Sequence, residues 1–430
     1  MAQKEILLNS LRLGKLVHGG QCIATIADES KFNGYKVFVW GGLPDELVDV
    51  RIVKKKRSYM EGVVTEVHEK SPHRIEPREP GTYLSTSPWQ IMTFDAENAA
   101  KQAILQEAFE REGVEGISWQ PFVSGELEYE YRNKVEFGFW GDDDGLHYAH
   151  YVRGTHGKKI ITENALARPE INQTAAVFIQ SLREFCKKKD IRAGDLKTVL
   201  FRCSQAGEVV AALFMKKEVD FSGFWPPEGL KGLDVYYSNP KSPASVPTKK
   251  LYSFGDITLT DSVLGKNIIY DVLSFFQVNV PVFETALNAI KEKTTGQQVV
   301  DLYSGVGTIG VALGATTLVE SEETNVIMAK KNVKGSSVEV VHATSEHALK
   351  HIDGKSTVIV DPPRAGMHRD LIDHLAEIRS PQVVYLSCNP STQARDVKLL
   401  SESYKVTYAQ GYNFFPRTPH IESLIVLERV

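Results

Sequence analysis

The chain has 430 residues, 42% hydrophobic and 24% charged, with a formal net charge of −4, which predicts a globular protein of about three domains. No apolar run approaches the roughly 20 residues that cross a bilayer, and Met1–Asn9 lacks the basic, apolar and small-residue regions of a secretory leader, so a cytoplasmic location is expected. Cys22, Cys186, Cys203 and Cys388 lie far apart with no Cys-x-x-Cys pair, which argues against a disulfide framework or a cysteine-rich metal site, and the slight acidity confines any nucleic-acid surface to a local basic patch.

Residues 6–68 read as short strands with turns: 11–17, 22–26, 35–40, 47–53 and 62–67, with a turn at His18-Gly19-Gly20 and a loop from Asp28 to Gly34. Strands at that spacing predict a small β-barrel. Arg51, Lys54, Lys55, Lys56 and Arg57 concentrate positive charge on one strand, either a solvated edge or a nucleic-acid contact. Residues 71–86, rich in Pro, Arg and Glu, read as a linker, and 96–111 as a helix. Residues 128–257 mix strands (134–140, 147–152, 209–214, 233–237) with a helix over 169–189.

The pattern changes after Ser262. Four buried-type strands (298–302, 317–320, 357–361 and 382–387) alternate with helical segments, including 323–333 and 369–376. That alternation predicts a parallel, doubly wound sheet, whose ligands bind beyond the carboxyl ends of the strands.

Four motifs sit at such ends. Asp301-Leu-Tyr303-Ser-Gly305-Val-Gly307-Thr-Ile-Gly310 is a strand, a tight turn and a helix start. A dinucleotide enzyme could carry such a loop. Asp301 before the loop suits a cationic amino-acid moiety, however, and Glu320 at the next strand end suits ribose hydroxyls, which favours S-adenosyl-L-methionine. In Asp361-Pro-Pro-Arg364-Ala-Gly366 two prolines stiffen the bend that holds a carboxylate at the rim. Cys388, in Ser-Cys-Asn-Pro, follows the fourth strand; at an ordinary pKa only a few per cent of it is thiolate at neutral pH, so a helix start near Ser391 or a nearby cation should help it ionise. Glu422, in His-Ile-Glu-Ser, precedes a closing apolar segment and is a candidate base. Phe275-Phe-Gln277-Val-Asn279 introduces this domain, with Asn279 placed to cap the following helix. His347 and His351 fall one helical turn apart, on a solvated face rather than as metal ligands; no metal is expected.

These motifs, in this order, resemble the RNA 5-methyluridine methyltransferase family, and the likeness extends over nearly the whole chain. It implies an α/β fold: a Rossmann-like S-adenosylmethionine methyltransferase domain (263–430), an N-terminal OB-like β-barrel of TRAM type (1–68) and a central α+β domain (69–262) to which Tyr131-Arg132-Asn133-Lys134 belongs. It implies Cys388 as nucleophile, Glu422 as proton-abstracting base, and cofactor contacts from Gln277, Tyr303, Glu320 and Asp361, beside the Asp301, Gly305 and Gly307 loop. Lys54, Lys55, Lys56, Arg57, Arg132 and Lys134 are the expected RNA contacts. The implied partner is 23S rRNA, with tRNA as the alternative; a silent RNA-binding protein and a cytosine-5 methyltransferase are weaker rivals. A monomer without a membrane partner is expected. Many members hold an iron–sulfur cluster, but the corresponding stretch, Glu79–Trp89, contains no cysteine, so no cluster is expected.

Overall fold

A computed structural model describes residues 6–27, 32–155, 157–296 and 298–430. Residues 28–31 of the expected 28–34 loop, and 1–5 of the chain start, lie outside them. The chain forms two compact units. The first comprises Met1–Gln106, Ala149–Ile160 and Phe415–His420, and the second Glu107–Tyr148, Ile161–Phe414 and Ile421–Val430.

In the first unit, β1 (Leu7–Arg12), β2 (Cys22–Thr25), β3 (Lys36–Trp40), β4 (Leu47–Lys55) and β5 (Tyr59–Glu69) form a curled sheet of order β1-β4-β5-β3-β2. Three register shifts between β4 and β5 bend these strands, as bulges do. The strand expected over 11–17 lies earlier, because β1 pairs with β4. Beyond it Leu13 and Gly14 donate their N–H groups to Glu46 and Ile23 instead. The stretch read as a linker is bolted down: Arg74 grips the buried carboxylate of Glu46 with Nε and a terminal nitrogen, at 2.5 and 2.6 Å. It includes the single turn α1 (Tyr83–Thr86) and leads into α2 (Phe94–Arg111).

Within the same unit Glu97 and Lys101, both fully buried, pair at 2.9 Å. Glu97 accepts the Arg417 N–H at 2.9 Å, and Lys101 donates to the Phe415 carbonyl at 3.0 Å. The indole N–H of buried Trp89 donates to the Gly20 carbonyl at 3.1 Å.

Next in the chain come the short β6 (Val123–Ser124), β7 (Lys134–Asp142), β8 (Gly145–Tyr151) and β9 (Lys158–Ile161), of which Ala149–Tyr151 and Lys158–Ile160 belong to the first unit and the rest to the second. Then, in the second unit, come α3 (Pro169–Lys188), β10 (Leu196–Cys203), β11 (Val209–Met215), β12 (Leu230–Tyr237) and β13 (Lys249–Gly255). These strands, β6 aside, form a sheet of order β13-β12-β11-β10-β7-β8-β9. α3 buries Ile171, Ala175, Phe178, Leu182 and Phe185, one face at helical spacing, against Val135, Phe137, Val199, Phe201 and Leu213. On β10 the alternate residues Leu200 and Arg202 face away from that core yet are buried too. Both faces of its second half are covered, so Val199–Cys203 reads as an apolar run broken only by Arg202.

The hairpin β14 (Thr258–Val263) and β15 (Lys266–Asp271) leads into α4 (Val280–Lys293). Then come β16 (Val299–Leu302), α5 (Thr308–Leu313), β17 (Thr317–Glu320), α6 (Glu323–Asn332), β18 (Glu339–His342), β19 (Thr357–Val360), α7 (Arg369–Ile378), β20 (Gln382–Ser387), α8 (Pro390–Leu400), β21 (Tyr404–Asn413) and β22 (Glu422–Arg429). The sheet order is β18-β17-β16-β19-β20-β22-β21-β6. Neighbours from β18 to β20 are parallel, and β22 runs antiparallel to both β20 and β21. The chain order reverses between β16 and β19, the position where open α/β sheets bind ligands. His347 and His351 fall on two separate 3-10 turns rather than one helix face.

Candidate active site

β16 delivers Asp301 to the reversal point, fully buried. Its Oδ2 accepts the Gly310 N–H at 2.8 Å, while Oδ1 has no partner among the described residues. Burial, with Asp361 and Glu320 adding repulsion, pushes this carboxyl up to about 8 against the Gly310 hydrogen bond. The turn that follows is left-handed at Tyr303 (φ 59°), Gly305 (56°) and Gly307 (87°), and Gly307 caps α5. At Gly310 a Cβ would stand 2.2 Å from Leu318 Cδ2 and 2.9 Å from Asp301 Oδ2, so only glycine lets the helix approach the strand this closely.

Glu320, at the end of β17, accepts the Gly305 N–H at 2.8 Å and those of Ser321 and Glu322 at 2.8 and 2.7 Å. It is thereby fixed beside the loop, with lone pairs still available to hydroxyls. The Tyr303 hydroxyl accepts from Ser345 Oγ at 2.7 Å. Gln277 is buried, and its carbonyl accepts from Asn133 Nδ2 at 2.9 Å. Asn279 occupies the cap position of α4 but makes no side-chain cap; its amide donates to the Phe414 carbonyl at 3.2 Å instead.

A second group lies at the ends of β19, β20 and β22. Ser387 and Ser423 are the last pair of the β20–β22 ladder, and Cys388 and Glu422 are the residues next to them in the chain. Asp361 follows β19, whose Val360 pairs with Tyr385. Charges in this group act on one another. Burial first, then the Glu422 and Asp361 carboxylates, push the half-buried Cys388 thiol up to about 12, and the Arg364 guanidinium pulls the other way. Burial and Asp361 push the buried Glu422 well above the usual carboxylate range, again against Arg364. Burial pushes Asp361 up to about 7. The cation and the helix start expected to ionise Cys388 are therefore present, as Arg364 and α8, but desolvation and two carboxylates outweigh them. Without ligands the sulfur is a thiol.

The sequence reading passed over the residues that hold this group. Asn389 accepts the Ser391 N–H at 3.2 Å and donates to the Arg364 carbonyl at 2.7 Å. Buried Asp396 accepts from the Met367 N–H and the Tyr385 hydroxyl, both at 2.8 Å, tying the turn after Asp361 to α8 and β20. Gln393 donates to the carbonyls of Tyr385 and Ser423 at 2.9 and 3.2 Å, bridging the strands that carry Cys388 and Glu422. Their one sequence signal is that Gln393 and Asp396 interrupt the buried face of α8 (Pro390, Ala394, Val397, Leu400) with polar groups, which are retained in cores when they are hydrogen-bonded.

The basic residues are dispersed. Lys56 and Arg57 are exposed at the turn between β4 and β5; Lys54 pairs with Glu61 at 2.5 Å, and Lys55 lies 4.5 Å from the Phe32 ring centre. Arg132 and Lys134 are half-buried in the second unit. Burial and the Arg202 cation push Lys134 down to about 7, which makes it a weaker phosphate partner than a solvated lysine. Cys22, Cys186 and Cys203 are buried, their thiols pushed up by desolvation.

The sequence profile of the family described as tRNA (Uracil-5-)-methyltransferase matches residues 93–430. A protein named as an uncharacterized RNA methyltransferase in Clostridium tetani is 28% identical over 428 residues, covering 92% of this chain and 93% of that protein. One in Bacillus cereus is 28% identical over 454 residues, covering 96% and 95%. Among solved structures, Pyrococcus abyssi tRNA (uracil-54, C5)-methyltransferase in complex with S-adenosyl-L-homocysteine shares the fold: TM-score 0.75 at 23% identity, over 97% of this chain and 99% of that one.

Proposed function

Because this chain belongs to the tRNA (uracil-5-)-methyltransferase family and is an RNA methyltransferase, we propose that it methylates carbon 5 of a uridine, with Cys388 as nucleophile and Glu422 as base. The observation that carries this reading is that the Glu422 and Asp361 carboxylates both act on the Cys388 thiol, with Cys388 and Glu422 flanking the last pair of the β20–β22 ladder, Ser387 and Ser423. A sulfur and a carboxylate there suit the two faces of one chemistry, addition to a pyrimidine ring and removal of its proton.

S-adenosyl-L-methionine is the methyl donor in this reading, held by Gln277, Asp301, Tyr303, Gly305, Gly307, Glu320 and Asp361. The donor set fits: a buried carboxylate oxygen of Asp301 without a partner suits a cationic amino group, and Glu320 at the next strand end suits ribose hydroxyls. When bound, the cofactor supplies an electrophilic methyl group.

The Cys388 thiol must first lose its proton, and the Arg364 guanidinium is the cation that favours the thiolate. The thiolate adds to carbon 6, and the ring's electron pair moves toward the carbon-4 oxygen as an enolate. A bound donor would then pass its methyl group to carbon 5, the methyl–sulfur bond breaking with its electron pair left on sulfur, so that the donor leaves as a neutral thioether. Glu422, which burial holds neutral in the free protein, acts as base once its own proton has left to solvent: it takes the carbon-5 proton, the sulfur–carbon-6 bond breaks, the thiolate is reprotonated from solvent, and Glu422 releases the proton it took. Two easier steps replace one hard one. A stacked base is out of reach, so the uridine must be flipped out, at a cost of a few kcal/mol. Phosphate contacts from Lys54, Lys55, Lys56 and Arg57, with Arg132 and Lys134 as secondary ones, offset that cost.

The curled N-terminal sheet with its basic turn supports a TRAM-type, OB-like module at 1–68, ahead of a central domain (69–262) and a catalytic domain (263–430), and with it 23S rRNA as substrate. The Pyrococcus relative's action on tRNA uracil-54 supports tRNA as the second reading. Mapping 5-methyluridine on rRNA and tRNA after incubation with the purified protein separates them. For the chemistry, labelled donor and RNA containing 5-fluorouridine should yield a covalent adduct, because fluorine blocks the final proton removal. An adduct that survives Cys388→Ala refutes the nucleophile.

A further inference from the structure

Arg202 is fully buried, on the face of β10 away from the α3 core. Its guanidinium donates to three carbonyls of one short segment: Asp271 at 3.0 Å, Ser274 at 2.5 Å and Phe276 at 3.1 Å. The Tyr270 ring lies 5.0 Å from it and stacks on Phe276 at 4.1 Å. The next two residues are held from β7's leading edge: Asn133 donates its side-chain amide to the Gln277 carbonyl at 2.9 Å and its N–H to the Val278 carbonyl at 3.2 Å. Every backbone acceptor from Phe276 to Val278 is thus taken by a group on the central sheet.

We infer that Arg202 is a positioning residue for methyl-donor binding, fixing, together with Asn133, the backbone of Gln277. This rests on the reading of Gln277 as a cofactor contact. A buried cation is retained where its hydrogen bonds are used. A planar fork spans three carbonyls of a curved segment in a way that a single ammonium does not. The neighbour across the strand pair, Lys134, pairs with Arg202 in register; its lowered affinity for a proton leaves Arg202 the lasting charge at this spot.

The test uses the full chain. Affinity for S-adenosyl-L-homocysteine is measured by calorimetry, and KM for the donor and kcat on RNA by methyl transfer, for Gln277→Ala, Arg202→Lys and the double variant. Gln277→Ala should weaken affinity about tenfold, equivalent to one lost hydrogen bond. Arg202→Lys should weaken it by about three- to tenfold with kcat at saturating donor within about twofold, and should add less than about twofold to Gln277→Ala, since coupled residues are non-additive. Full affinity in Arg202→Lys, or losses that multiply fully in the double variant, would overturn the inference. Unchanged affinity in Gln277→Ala would instead refute the cofactor contact, and the inference with it. Should Arg202→Lys fail to fold, Asn133→Ala takes its place with the same expected coupling, and full multiplication there overturns the inference equally.

Discussion

Treating the ligand-free protein with iodoacetamide at pH 7 should leave Cys388 almost unlabelled. An ordinary cysteine, with a pKa near 8.5, is about 3% thiolate at that pH. A thiol pushed up to about 12 is about 10⁻⁵ thiolate, a deficit of roughly three thousandfold. A more basic thiolate is more nucleophilic, with a slope of about 0.4–0.5 per pKa unit, which returns roughly thirty- to fiftyfold. The net expectation is alkylation on the order of a hundredfold slower than a free thiol, rising about tenfold per pH unit between pH 7 and 9.5 without a plateau near 8.5. Peptide mass spectrometry after timed labelling reads the rate. Arg364→Gln removes the cation that pulls the thiol down, so labelling should slow further. Labelling at free-thiol speed, or acceleration by Arg364→Gln, would refute the charge balance argued for this cluster.

Glu422→Gln removes the proposed base but keeps the shape; turnover should fall by at least about a hundredfold, while a denaturant-stable RNA adduct at Cys388 accumulates, visible as a gel shift. Asp301, with its folded pKa raised to about 8, contributes stability that is full below its unfolded value and is lost as pH rises through 8. Urea unfolding midpoints of the wild type should therefore fall between pH 4 and 8 more steeply than those of Asp301→Asn. Lys101→Met removes the nearer of two cations beside the buried Glu97 carboxylate, leaving Arg417 at 3.8 Å, and should cost about 3 kcal/mol of stability in denaturant melts. Replacing both Lys56 and Arg57 by alanine should flatten the slope of log affinity against log salt for single-stranded RNA by about 1.4, at about 0.7 per lost phosphate contact.

The parallel sheet was legible because its strands are buried on both faces and read as short apolar runs, and their ends announced the loop after Asp301, the turn after Asp361 and the position of Cys388. What periodicity could not reveal was long-range pairing. β10 was missed because its second half is covered on both sides and the arginine within it, Arg202, finds its partners about seventy positions away. β21 and the brief β6 exist through pairing across the chain. The supposed linker looked exposed from its charges, yet Arg74 is spent on Glu46, 28 residues earlier. The basic run read as a unit, but its members divide between an ion pair, a ring contact and solvent. The predicted ease of ionising Cys388 failed because counting cations ignores desolvation, the largest influence on that sulfur.

The buried pair of Glu97 and Lys101 grips Phe415 and Arg417, so the N-terminal unit holds a piece of chain more than 300 residues further on. During synthesis its curled sheet can assemble early, but the acidic and basic side chains at its heart wait for those partners until the ribosome has passed residue 417. A nascent or C-terminally truncated product therefore carries an unfinished interior far upstream of the break, which should mark it for proteolysis near the N-terminus rather than at the severed end.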